Sequence, residues 1–83
     1  MRYILFVKKE CPFCVDSIEL LEQNNLPYKT INFELEQEEI LDKIKKGYEW
    51  ATVPMIFCRE GQDIKFIGGF TDLQKWLVND GGT

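Results

Sequence analysis

The feature that most restricts this chain is Cys11-Pro12-Phe13-Cys14, set directly between an apolar run and an amphipathic one. Tyr3 to Val7 reads Tyr-Ile-Leu-Phe-Val, a short run of β-formers without alternation, as suits an interior strand covered on both faces. Pro12 fits the first position of a helix, where its missing N–H costs nothing. Cys14, Val15, Ile18 and Leu21 then recur at helical spacing through Gln23. Asn24, Asn25 and Pro27 end that helix. The two cysteines therefore stand where a strand hands over to a helix.

Downstream, Tyr28 to Phe33 alternates so that Lys29, Ile31 and Phe33 share one face, the pattern of a half-buried strand. Glu34, Glu36, Glu38 and Glu39 crowd a helix start, where carboxylates complement the dipole, and Lys43, Lys45 and Lys46 collect near its end before Gly47. Ile40, Leu41 and Ile44 are its expected buried stripe. Val53 to Cys58 and Asp63 to Ile67 flank Arg59 to Gln62, where Gly61 permits a reversed turn, and so predict a hairpin. Gly68 and Gly69 close it. Thr71 to Gln74 has capping-box spacing, Leu73, Trp76 and Leu77 form the core stripe of a last helix, and Asp80 to Thr83 reads as a frayed tail. The order is β-α-β-α-β-β-α. The right-handed crossover rule makes the first two strands parallel, and the hairpin completes a four-stranded mixed sheet flanked by helices, an α/β fold.

At 83 residues the chain is expected to be a single domain over residues 1–83, and its hydrophobic share of 45% suffices for an ordinary core. A net charge of -4 without a Lys/Arg stripe argues against nucleic acid. The opening apolar run is too short for a membrane span, and Lys8 and Lys9 interrupt it. Neither a signal peptide nor a span is expected, the compartment reads as cytoplasm, and the expected state is a monomer.

Three cysteines cannot form a paired framework, so the C-x-x-C is either redox-active or half a metal site. A zinc site needs four ligands, and with no His and only Cys58 as a further thiol, no metal is expected. Redox chemistry needs a thiolate, hence a pKa lowered from about 8.5 towards the working pH. Cys11 has the means: a helix N-terminus whose free N–H groups favour an anion, with Lys8 and Lys9 just upstream. Cys14 lies one turn on, within disulfide range but facing the protein. Cys11 should attack and Cys14 resolve. Cys58, four residues beyond Pro54, lies roughly 13 Å along an extended strand, too far to join Cys11. It reads as a small buried hydrophobe.

A C-x-x-C that ends a strand and opens a helix is the thioredoxin-like arrangement. Three motifs, Cys11-Pro12-Phe13-Cys14, Thr52-Val53-Pro54 and Gly68-Gly69-Phe70-Thr71-Asp72, occur in that order across nearly the whole chain. Together they resemble a dithiol glutaredoxin. The resemblance implies a thioredoxin-like (glutaredoxin) fold with a cis Pro54 facing the cysteines. It also implies glutathione as co-substrate, held by Lys8, Phe13, Thr52, Val53, Pro54, Gly69, Phe70, Thr71 and Asp72. On that reading the Val53 backbone pairs with the tripeptide as an added strand would. The helix start at Thr71-Asp72 offers N–H groups to the γ-glutamyl carboxylate, and the Asp72 side chain meets its ammonium. Gly68-Gly69 permits close approach, Lys8 meets the glycine carboxylate, and Phe13 walls the cysteine site. Plainer readings stand beside these: a turn proline, a well-capped helix, a surface lysine, a packed aromatic. Family members often carry a basic or polar residue shortly before Thr-Val-Pro, whereas Glu49-Trp50-Ala51 stands here. Trp50 either offers the ligand a surface or packs as a partly buried loop tryptophan.

The implied activity is that of a glutathione-dependent thiol–disulfide oxidoreductase, reducing protein disulfides and glutathionylated proteins, with electron donation to ribonucleotide reductase within its reach. Three other readings compete. A redoxin recharged by thioredoxin reductase would lack the Gly68-Gly69-Phe70-Thr71-Asp72 pocket. An iron–sulfur carrier of this family usually has Gly or Ser where Pro12 stands. A non-catalytic interaction module would keep its function in Cys11→Ser.

Overall fold

A computed structural model of the chain describes residues 1–33 and 37–79. The order is β1 (Arg2–Val7), α1 (Pro12–Gln23), β2 (Tyr28–Asn32), α2 (Glu38–Gly47), β3 (Met55–Glu60), β4 (Asp63–Gly68) and α3 (Phe70–Asn79). Glu34, Glu36 and the tail Asp80 to Thr83 lie outside the described residues.

The strands form one sheet in the order β2-β1-β3-β4, parallel between β1 and β2 and antiparallel elsewhere. Interior β1 explains its continuous apolar run. Its alternation sends Tyr3, Leu5 and Val7 to one face, where Cys14, Leu21 and Leu73 from α1 and α3 complete a cluster with Ile56 and Cys58. Ile4 and Phe6 point to the other face, against Met55, Phe57, Phe33 and Leu41. Behind the first cluster the Trp76 indole N–H donates to the Tyr3 hydroxyl at 3.1 Å. Burial raises the Tyr3 pKa, an effect that this hydrogen bond opposes.

Several expected details differ. As an edge strand β2 is largely exposed, Ile31 included, and only Phe33 just beyond it is buried. On α1 Val15 is exposed and Ser17 takes the buried place, its hydroxyl donating to the Phe13 carbonyl at 2.7 Å. On α2 Leu41 is buried but Ile40 is exposed. Strand β3 begins after Pro54, which has no N–H for a ladder, and runs on to Glu60, leaving a tighter turn than Arg59 to Gln62.

The last helix starts earlier than the Thr71 capping box would have it. Gly69 is the cap: its carbonyl accepts the first helical bond from Leu73 at 2.9 Å, and its N–H donates to Asp72 Oδ2 at 3.0 Å. Gly68 precedes it at φ +128, where the β3–β4 ladder is irregular and the chain turns off the sheet into α3.

Candidate active site

Cys11 caps α1. It is extended, with φ -113 and ψ 102, Pro12 follows as the first helical residue, and the Cys14 N–H points at Cys11 Sγ from 3.2 Å. A donor is thus aimed at the sulfur that must carry charge. The two cysteines are joined as a disulfide, with Cα atoms 5.2 Å apart. They are unequal: Cys14 is buried, 3% exposed, whereas Cys11 is partly open. Glu10, immediately before the pair, holds a left-handed φ of 57.

The Val53-Pro54 peptide bond is cis, and the Val53 carbonyl oxygen lies 3.8 Å from Cys11 Sγ. That loop and the start of α3 face each other across a cleft of about 290 Å³. Thr52, Val53 and Pro54 line one side, Gly69, Phe70, Thr71 and Asp72 the other, with Phe13 at the cysteine end. Phe13 stacks on Phe70 with ring centroids 6.2 Å apart. The first turn of α3 brings N–H groups without helical partners to this wall. One oxygen of Asp72 is already engaged by the Gly69 N–H.

Lys8 is the one residue expected to hold glutathione that does not line the cleft. Its ammonium meets Glu38 Oε1 at 2.7 Å, at the start of α2. The hydrogen bond from Lys8, and then its charge, holds the Glu38 carboxyl below the usual carboxylate range. Nothing local in the sequence pointed to Glu38, because the contact spans 30 positions.

Trp50 stands between the cleft and the core. It lines the cleft, and it also packs edge-on against Phe66 at 5.2 Å. Its indole N–H is buried without a hydrogen-bond partner. An aromatic in a loop ahead of Thr52 was the available signal. Cys58 is buried in the core cluster shared with Cys14, and burial, then the charge of Glu60, pushes its thiol pKa up. Among the described residues no group of three or more His, Cys, Asp or Glu could hold a metal ion, and no helix is long and apolar enough to cross a membrane.

The glutaredoxin family model matches residues 4–64. A glutaredoxin-1 of Gallus gallus is 40% identical over 76 residues, covering 89% of this chain and 71% of that protein. Glutaredoxin 1 of Escherichia coli is 31% identical over 85 residues, covering 93% of each. The solved structure of a buckwheat glutaredoxin–glutathione complex superposes with a TM-score of 0.77 at 27% identity, covering 95% of this chain and 69% of that one. On these matches the chain belongs to the glutaredoxin family and is a thiol–disulfide oxidoreductase.

Proposed function

We propose that glutathione is the co-substrate and that Cys11 is the nucleophile. The observation that carries this reading is the single cleft in which Val53 and the start of α3 converge beside Cys11. Glutathione is a short extended peptide. The Val53 backbone suits strand-like pairing, and the α3 N-terminus with the remaining Asp72 oxygen suits the carboxylate and ammonium of the γ-glutamyl end. Lys8 meets Glu38, and the glycine carboxylate competes with Glu38 for its ammonium.

The partly open Cys11 thiolate attacks the glutathione sulfur of a glutathionylated protein, freeing the protein thiol and leaving glutathione on Cys11. A second glutathione thiolate then attacks that sulfur, releasing oxidised glutathione and the Cys11 thiolate. With a protein disulfide, Cys11 forms a mixed disulfide and Cys14 displaces the substrate thiol, giving the linked pair seen here. Two glutathione molecules reduce that pair. The helix N-terminus and the Cys14 N–H stabilise the thiolate form of Cys11. The chain acts as one domain and as a monomer in the cytoplasm, where a glutathione pool keeps it reduced.

Paired variants test the division of labour. Cys11→Ser should lose all activity, whereas Cys14→Ser should retain glutathione-dependent deglutathionylation and lose direct reduction of protein disulfides. Equal loss in both overturns the assignment of roles. Reduction of the oxidised protein by NADPH and thioredoxin reductase, but not by glutathione, overturns the choice of co-substrate.

A further inference from the structure

A second groove, of about 230 Å³, runs between α1 and α3. Asp16, Glu19, Leu20 and Gln23 line it from α1, at spacings of three, one and three residues that place them on one helical stripe. Phe70 and Gln74, one turn apart, line it from α3. Phe70 is also a wall of the active-site cleft, so the groove begins where the cleft ends. The stacked, exposed Phe13 stands at the junction, three residues ahead of Asp16 on the same stripe.

The groove is chemically one-sided. Leu20 and Phe70 supply apolar surface, and Asp16 and Glu19 add two negative charges that take part in no ion pair among the described residues. Helix α1 has no Lys or Arg to offset them.

We propose that this groove docks the protein substrate: it takes an extended segment that bears Lys or Arg two to four residues from the disulfide cysteine. The spacing follows from geometry. Asp16 and Glu19 lie roughly 8 and 12 Å beyond Cys11, where the substrate sulfur bonds, along the helix axis, and an extended peptide advances about 3.3 Å per residue, so they face its second to fourth residues. The groove therefore selects among protein disulfides, while the cleft receives glutathione. This rests on the family's dithiol chemistry and not on the choice of co-substrate.

Single-turnover reduction by prereduced protein tests it without glutathione. Two electrons pass from the dithiol to a peptide disulfide: Cys11 bonds one peptide sulfur and releases the other as thiol. Cys14 then bonds Cys11 and releases the second peptide thiol. Three peptides are compared, with paired lysines two and three residues from the cysteine, paired glutamates there, or paired lysines about eight residues away. The near-lysine peptide should react roughly fivefold faster than the glutamate peptide, as two exposed charge pairs allow. The advantage should shrink towards twofold or less in Asp16→Asn/Glu19→Gln and at 0.5 M salt, which screens such pairs. Glu39→Gln/Asp42→Asn removes the same charge from α2 and should keep it. The proposal is overturned if near and distant lysines react alike, if the α2 variant loses as much as the groove variant, or if the wild-type ratio is near one. A failure of glutathione to reduce the protein would leave every arm of this test unchanged.

Discussion

Gly68→Ala is the substitution whose cost the structure sets most directly. Gly68 has φ +128, a conformation that L side chains rarely adopt, and such backbone strain costs about 1–3 kcal/mol. A Cβ built there runs into the Asp72 side chain, whose own Cβ would be 2.9 Å away. To make room Asp72 must leave the Gly69 N–H, forfeiting a cap worth about 1 kcal/mol. The sum is about 3 kcal/mol, which for a domain of this size lowers Tm by roughly 12–24 °C. Guanidinium melts followed by far-UV circular dichroism, with the cysteine pair oxidised throughout, measure it. Gly69→Ala is the internal control. Its backbone is ordinary, and the new methyl would meet Trp50 at 3.6 Å, normal contact distance. It should cost about 1 kcal/mol or less. In an Asp72→Ala background the clash with the carboxylate and the cap are already gone while the 2.9 Å Cβ contact remains, so the double variant should fall short of additivity by about 1 kcal/mol. A Gly68→Ala protein within roughly 0.5 kcal/mol of wild type, or strict additivity in the cycle, would refute the reasoning.

Cys58 should resist iodoacetamide at pH 8 in the native, oxidised protein and react once guanidinium unfolds it, because burial favours its neutral thiol; mass spectrometry counts the adducts, and native labelling would contradict the placement. Glu38→Gln tests the Lys8 contact through pH. A carboxyl held low in the folded state stabilises the fold above its unfolded value of about 4.3 and ceases to do so as pH falls through the folded value. The variant's stability deficit at neutral pH should therefore disappear on acidification, and a deficit constant with pH would show that the pair contributes nothing through charge.

What was legible in the sequence is what depends on short-range pattern. The apolar run of Tyr3 to Val7 became an interior strand, Pro12 started α1, and Gly61 turned the hairpin. The motifs around Cys11, Val53 and Thr71 were brought into one cleft, because strand and helix order leaves few ways to arrange them. What escaped depends on neighbours. Val15 is exposed and Ser17 buried, which hydropathy does not report, and a serine can be buried when the Phe13 carbonyl satisfies it. Thr71 matched a capping box, yet the carboxylate at Asp72 and the freedom of Gly68 moved the cap to Gly69. The half-buried reading of β2 failed for want of a strand beyond it, and Lys8 found Glu38 across a distance no local pattern reports.

The two tryptophans have separate duties as optical probes. Trp76 is tied to Tyr3 behind the sheet, so its emission follows the integrity of the fold. Trp50 stands on the cleft wall with an unpartnered indole N–H, so its emission follows what occupies the cleft. The native chain thus carries an unlabelled two-channel sensor, in which occupancy and unfolding can be recorded from the same sample and resolved by replacing either ring with phenylalanine.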